Sequence, residues 1–149
     1  MTNQANQIHA TCISLDGIGL LLRGPSGSGK SDLALRLMEH SAQLIADDRV
    51  DLSQEDGVLI ARAPDRLSGL LEVRGVGIIE VPYAPSARVW GLIDLVKRAE
   101  IERLPDNRTE ILSGVKIPCF QADPWEASAE VKVRLVSGLV SGSIIRTDD

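Results

Sequence analysis

The chain has 149 residues, of which 44% are hydrophobic, and a formal net charge of −5. This length and apolar content suit one well-buried core, so we expect a single domain over residues 1–149. The acidic balance argues against a nucleic-acid partner, because proteins that bind phosphate backbones concentrate lysine and arginine in basic stripes. The sequence has neither an apolar run of about 18 residues nor a signal peptide, so we expect a cytoplasmic protein without a membrane partner.

Two strand-like runs open the chain, at residues 8–15 and 18–22, and we predict that they pair as an antiparallel hairpin. The dipeptide Asp16-Gly17 between them is a strong signal for a two-residue turn, because both central positions of such a turn need positive φ. The second strand therefore ends where a glycine-rich loop begins.

The glycine-rich loop has the sequence Gly24-Pro25-Ser26-Gly27-Ser28-Gly29-Lys30-Ser31. It matches the spacing G-x-x-x-x-G-K-[ST], in which backbone N–H groups curl around phosphates, the lysine neutralises charge and the last hydroxyl ligates Mg²⁺. Apolar residues at helical spacing follow, so we predict a helix over residues 31–40 that points its N-terminus at the phosphates. This order is typical of a nucleotide phosphate cradle for ATP or GTP. The alternative is a glycine-rich turn that binds nothing.

A short buried strand is predicted at residues 44–46, and it ends in Asp47 and Asp48. In proteins with a phosphate cradle, an acid at the end of a neighbouring strand commonly orients Mg²⁺, and an adjacent acid can accept a proton from an attacking hydroxyl. Neighbouring residues of a strand point to opposite sides, so we expect only one aspartate to be catalytic unless the strand has already ended. The alternative is a solvated turn.

The middle of the chain contains further strand signals. Residues 50–53 and 58–61 are predicted to form a second hairpin across the turn Asp56-Gly57. Another strand is predicted at residues 89–96, and the charged stretch at residues 97–108 is predicted to be partly helical or exposed.

An apolar segment at residues 70–81 contains Glu72, Arg74, Gly75 and Gly77. Two glycines inside a strand pattern suggest that another group approaches the backbone closely. Glu72 and Arg74 would share one face of the strand, where an acid could hold Mg²⁺ and a base could hold phosphate. These four residues are therefore candidates for a metal and phosphate or substrate site, and a surface ion pair is the alternative.

The last third of the chain has one clear helix signal, the tetrapeptide Asp123-Pro124-Trp125-Glu126. An acid, a proline and a glutamate at this spacing come close to a capping box, so we predict a helix that begins here and ends near residues 141–142. One face of this helix is apolar and is predicted to pack on the core.

These segments, in this order, resemble the catalytic domain of bacterial HPr kinase/phosphorylase, which modifies a serine of the sugar-phosphotransferase carrier protein HPr. The resemblance extends from about residue 9 to about residue 118. The matches at residues 44–50 and 71–79 are highly specific, and those at Arg103 and residues 110–118 are weaker. The other matching pieces are His9, Asp16-Gly17-Ile18-Gly19 and the loop itself.

The resemblance implies an α/β P-loop domain, similar to that of phosphoenolpyruvate carboxykinase, with a mixed β-sheet and few helices. It also implies a role for each matching residue. Residues 24–31 would bind ATP, and Asp47 would remove the proton from the substrate serine. The ligands of Mg²⁺ would be Ser31 and Glu72, with support from Asp48. The active site would be completed by His9, Lys30 and Arg103.

Two departures from the family pattern modify these expectations. The family usually has a separate N-terminal domain, so the resemblance implies a truncated form of the type found in α-proteobacteria. The family also has a Pro-x-x-Pro-Gly-Arg-Asn segment associated with dephosphorylation, which residues 119–124 do not match. The resemblance therefore supports the kinase direction and leaves dephosphorylation unsupported. It implies HPr or a nitrogen-type phosphocarrier as partner, assembly as a hexamer, and a C-terminal helix that either docks the carrier or packs on the core.

Two other functions remain open at this point. A kinase of the same fold could phosphorylate a small molecule, and it would turn over without a protein substrate. A regulator could bind ATP without catalysis, in which case Asp47→Asn would leave its function unchanged.

Overall fold

The computed structural model describes residues 5–147, which form a mixed α/β architecture with one large mixed sheet and two α-helices, as predicted. Two 3-10 helices lie at Asp65–Leu67 and Arg98–Glu100. In chain order the elements are β1 (Ala5–Leu15), β2 (Ile18–Arg23), α1 (Lys30–Met38), β3 (Gln43–Ala46), β4 (Arg49–Glu55), β5 (Val58–Arg62), β6 (Leu70–Val73), β7 (Gly77–Glu80), β8 (Ser86–Leu95), β9 (Arg108–Leu112), β10 (Val115–Ala122) and α2 (Ala129–Ser141).

Five strands of the large sheet close into a ring. β2 pairs with β1 on one side and, in parallel, with β8 on the other. The first half of β1 pairs with β4, β4 pairs with β5, and β5 returns to β8, all antiparallel. β10 and β9 extend the sheet on the other edge of β8, and β3 pairs with the second half of β1. β2, which leads into the glycine-rich loop, is therefore held on both sides.

The core divides into two clusters because alternate residues of β2 face opposite sides. Leu20 and Leu22 belong to a cluster that includes Leu33 of α1 and Val133 of α2. Leu21 belongs to a second cluster, formed mainly by side chains of the strand ring. All three β2 leucines are fully buried, as expected for a strand covered on both faces.

Both predicted two-residue hairpins are confirmed. Asp16 and Gly17 have φ of 50° and 86°, and Asp56 and Gly57 have φ of 52° and 82°. The strand register closes directly on each turn, with Leu15 opposite Ile18 and Glu55 opposite Val58. The charged stretch at residues 97–108 is exposed at most positions and contains one short 3-10 helix, as predicted.

The predicted start of the C-terminal helix is wrong. Asp123 begins a separate turn, in which its Oδ1 accepts the Trp125 N–H at 2.9 Å and its carbonyl oxygen accepts the Glu126 N–H at 3.2 Å. The side chain of Asp123 thus satisfies local backbone donors without a helix following, and Ser128 is the N-cap of α2. The predicted apolar face is confirmed, since Ala129 and Val133 are buried.

The segment at residues 70–81 is a hairpin, not one strand, and β6 and β7 form a separate two-stranded sheet. Gly75 and Gly77 have φ of 87° and 122°, and a Cβ at either position would meet no atom within 4 Å. No described atom lies close to the Cβ positions of these glycines, and they supply the left-handed backbone that the turn requires. None of the helices within residues 5–147 has the length and apolarity needed to cross a bilayer.

Closure of the ring leads to a stability prediction. A Cβ at Gly19 would lie 2.4 Å from the carbonyl oxygen of Arg88, so Gly19→Ala must push β2 away from β8. We expect Gly19→Ala to lower the free energy of unfolding by about 1–3 kcal/mol, measured by urea denaturation. The matched control is Gly91→Ala, where a Cβ would lie 3.3 Å from the side-chain ends of Leu20 and Val140 and at an ordinary 3.8 Å from the Pro118 carbonyl oxygen. An equal loss in both variants would contradict this account.

Candidate active site

The glycine-rich loop crosses the end of β2 and leads into the N-terminus of α1. The Leu33 N–H donates to the Gly29 carbonyl oxygen at 2.9 Å, so helical bonding begins within the loop. The positive end of α1 and its free N–H groups therefore face the concave side of the loop, where an anion is favoured. The loop is tightly folded, because a Cβ at Gly24 would lie 2.5 Å from Ser28 Oγ.

Two polar groups inside the loop fit a phosphate. Lys30 is only 6% exposed, and its ammonium donates to the carbonyl oxygens of Gly24 at 2.7 Å and Pro25 at 3.1 Å. Burial lowers the pKa of Lys30 from its ordinary value, although the negative charges of Asp48 and Asp47 act in the opposite direction. Ser28 Oγ is buried and has no hydrogen-bond partner within the described residues. A phosphate oxygen would satisfy this hydroxyl and compensate the buried ammonium.

Asp47 lies beside the last residue of the cradle motif. Its Oδ1 accepts hydrogen bonds from Ser31 Oγ at 2.7 Å and from Thr11 Oγ1 at 3.0 Å. Thr11 is fully buried in β1, and Asp47 directly follows β3, which pairs with β1. The Ser31 hydroxyl is a hard oxygen donor of the kind that Mg²⁺ prefers, and the adjacent carboxylate adds negative charge that favours a cation, so the site fits the metal that the motif implies.

Asp48 takes a different partner. Its Oδ1 lies 2.5 Å from His9 Nε2, and both side chains are exposed. β3 has already ended at Ala46, and Asp48 has a φ of 68°, so the simple alternation of a strand does not apply to the two acids. The structure therefore separates the aspartates, with Asp47 at the cradle hydroxyl and Asp48 on His9.

The remaining predicted site residues form no hydrogen bond or ion pair with the cradle within residues 5–147. Glu72 and Arg74 are exposed on and beside β6, and neither makes a hydrogen bond or ion pair within residues 5–147. Leu71 of their hairpin is buried in the core cluster that includes Leu33 of α1. Arg103 lies in the exposed segment after β8, where it lines a cavity of about 470 Å³ bordered by β10 and α2.

Arg23 immediately precedes the cradle and was not predicted from the sequence to be a site residue. Its guanidinium binds Asp94 through Nε at 2.7 Å and Nη2 at 3.1 Å, and it binds Glu110 through Nη1 at 2.6 Å and Nη2 at 2.8 Å. These hydrogen bonds, first to Glu110 and then to Asp94, raise the pKa of Arg23. The three partners come from β2, β8 and β9, and no local sequence signal brings them together.

Thr11 and the contact between the loop and the turn at residues 123–126 were also not predicted from the sequence. A Cβ at Gly29 would lie 2.9 Å from Pro124 Cγ and 3.0 Å from Trp125 Cζ2. This turn therefore packs against the loop at Gly29, and glycine is the only residue type that fits at this position, where φ is 101°.

Residues 1–122 match the family model described as the HPr serine kinase C-terminal domain. The chain belongs to this family. The match contains the loop, both aspartates and Arg103, and it ends before the turn that carries Trp125. The resemblance found in the sequence is thereby confirmed at the level of the family.

Similar proteins agree with this assignment. An HPr kinase/phosphorylase of Clostridium botulinum strain Eklund 17B is 41% identical over 96 residues, which are 64% of this chain and 30% of that protein. One from Clostridium acetobutylicum is 46% identical over 76 residues, or 51% of this chain and 25% of that protein. The solved Hpr(Ser) kinase/phosphatase of Coxiella burnetii has a TM-score of 0.79 and 30% identity, and the match covers 93% of this chain and 95% of that one. The chain spans less than a third of the curated relatives it matches.

The hydrogen bonds that Arg23 donates to Asp94 and Glu110, here called the Arg23 clamp, lead to a prediction about pH. The hydrogen bonds from Arg23 lower the pKa of Glu110 below its ordinary value of 4.5 in the folded protein. The clamp therefore stabilises the fold above that value, and its contribution is lost as the pH falls through the lowered pKa. We expect the free energy of unfolding to fall less steeply below about pH 4.5 in Glu110→Gln than in the wild type. Thr109→Ala, at an exposed uncharged position of β9, should keep the wild-type slope. An unchanged slope in Glu110→Gln would contradict the clamp.

Proposed function

We propose that this domain is a kinase that uses Mg²⁺ and ATP to phosphorylate a serine of HPr or of a related nitrogen-type phosphocarrier. The observation that carries the proposal is the contact of Asp47 with Ser31, because it joins a carboxylate to the cradle residue that the motif assigns to Mg²⁺. Membership of the HPr serine kinase family supports the same reaction. Assembly as a homo-oligomer, a hexamer by family resemblance, belongs to the same proposal.

In the proposed site, Gly24 to Ser31 bind the phosphates of ATP, and Lys30 exchanges the Gly24 and Pro25 carbonyl oxygens for phosphate oxygens. Ser31 holds Mg²⁺, with Asp48 and Glu72 as the further ligands that the family resemblance implies. A metal held by these residues would supply positive charge that neutralises the phosphates. Arg74, Gly75 and Gly77 belong to the proposed substrate side on the hairpin of β6 and β7.

Asp47 is the proposed base. Its Oδ1 is engaged by two hydroxyl donors, while Oδ2 accepts no hydrogen bond within the described residues. Oδ2 is thus the oxygen that takes the proton of the substrate hydroxyl, as that oxygen bonds to the γ-phosphorus and the bond to ADP breaks. His9 orients Asp48 through their contact, and Arg103 is proposed to stabilise charge on the transferred phosphoryl group.

Phosphoryl transfer gives the direct test. Purified HPr-type carriers are incubated with the domain and Mg·ATP, and the phosphate that each carrier gains is followed by intact mass. We expect one serine phosphate per carrier. Lys30→Ala and Asp47→Asn should each lower the rate by at least about a hundredfold, because one removes phosphate positioning and the other removes the base.

The matched control for the lysine is Lys116→Ala, an exposed position on β10 outside the site, which should keep the wild-type rate. Turnover of ATP on a small molecule with no gain on any carrier would replace this proposal with a small-molecule kinase. ATP binding without any transfer, unaffected by Asp47→Asn, would replace it with a regulator.

The separation of the two aspartates predicts different responses to Mg²⁺. Asp47→Asn should lower the transfer rate at every Mg²⁺ concentration, because a missing base cannot be replaced by more metal. Asp48→Asn should mainly raise the Mg²⁺ concentration needed for half-maximal rate, as expected for a lost contribution to metal binding. The measurement is the transfer rate of each variant across a Mg²⁺ titration.

Asp56→Asn is the control for a lost carboxylate, since Asp56 lies in the second hairpin turn, where asparagine tolerates positive φ. It should match the wild type at all metal concentrations. If excess Mg²⁺ restores Asp47→Asn, then Asp47 is a metal ligand and not the base.

A further inference from the structure

Trp125 is a large exposed side chain at the edge of the phosphate cradle. Its Cζ2 atom lies 3.0 Å from the position that a Cβ of Gly29 would take, yet 64% of the residue is exposed. The chain has four aromatic residues among Phe, Trp and Tyr, all within the described part. The aromatic residue seen in contact with the phosphate loop, at Gly29, is Trp125.

The turn that carries Trp125 is firmly held. The Trp125 N–H donates to Asp123 Oδ1 at 2.9 Å, and Asp123 Oδ2 accepts the Arg98 N–H at 3.1 Å. Arg36 of α1 donates to the Pro124 carbonyl oxygen at 2.5 Å. The indole is therefore presented by a turn that is fixed to both α1 and the segment after β8, so little order has to be gained when it is used for binding.

Packing on the loop does not account for the exposed indole. Pro124 is buried and already covers Gly29, with its Cγ 2.9 Å from the same Cβ position. Most of the Trp125 surface remains free beside the cradle. A nucleotide whose phosphates occupy the loop must extend its ribose and base out of it, and an aromatic face beside a phosphate site suits a base because every base has a π-face.

We propose that Trp125 is the platform on which the purine base of the bound nucleotide stacks. The inference rests on the proposed function, because it needs a nucleotide in the cradle. The match to the family model ends at residue 122, before Trp125. Trp125 thereby makes the site selective for a nucleoside triphosphate over a bare polyphosphate chain.

The test compares ATP with inorganic tripolyphosphate, which has the phosphates but no base. Binding of each to the domain is measured by calorimetry in the presence of Mg²⁺. We expect Trp125→Ala to weaken ATP binding roughly tenfold and to leave tripolyphosphate binding within about twofold of the wild type. Trp125→Phe, which keeps an aromatic face, should recover most of the ATP affinity.

A second readout uses Trp90→Phe, which leaves Trp125 as the only tryptophan. Trp90 lies on β8 with the Arg88 guanidinium 4.1 Å from its ring, outside the proposed site. In this background ATP should quench the indole fluorescence and tripolyphosphate should not. Quenching by both ligands alike would overturn stacking.

The outcomes separate this inference from the proposed function. Equal weakening of ATP and tripolyphosphate by Trp125→Ala would mean that Trp125 only supports the loop, and unchanged ATP affinity would mean that it does not touch the nucleotide; either result overturns the inference alone. If Trp125→Ala weakens the binding of ATP but not of tripolyphosphate, and no carrier gains phosphate, then the stacking inference stands and the proposed kinase activity is overturned. A wild type that binds neither ligand would overturn both.

Discussion

The parallel pairing of β2 with β8 is the constraint on which the candidate site depends. The two strands approach so closely that only glycine fits at position 19, opposite the Arg88 carbonyl oxygen. This pairing closes the strand ring and holds β2 on both edges, so the point at which the chain leaves β2 and begins the loop cannot shift along its neighbours. The register also places Arg23 beside Asp94, where the guanidinium joins β2 to β8 and, through Glu110, to β9.

The site forms where three parallel strands end together. β2, β8 and β10 run in the same direction, and their registers bring Arg23 beside Asp94 and Leu95 beside Ala122. Ligand sites of α/β proteins lie outside the carboxyl ends of such strands, because the connecting loops meet there. Here the segment after β2 is the cradle and the segment after β10 is the turn of Pro124 and Trp125. The register of these strands therefore brings together the phosphate loop and the turn that packs against it.

The sequence predicted the elements whose causes are local. The turns Asp16-Gly17 and Asp56-Gly57, and the loop followed by α1, depend on a few consecutive residues, and all are confirmed. Arg23 and Thr11 were not identified as site residues, because their partners Glu110 and Asp47 are distant in the sequence. The failed helix start at Asp123 has a different cause. The same side chain can cap a turn or a helix, and the local pattern cannot decide between them.

The two adjacent aspartates illustrate the same limit at the centre of the site. Their position at a strand end is readable from the sequence, but their partners are not, because the backbone turns there and Asp48 has a positive φ. One carboxylate lies against Ser31 and the other against His9. A phosphoryl-transfer site needs acids both for metal and for the proton, and two carboxylates on one side of a strand end would repel each other. The turn after β3 separates them and leaves both close enough for their charges to act on Lys30.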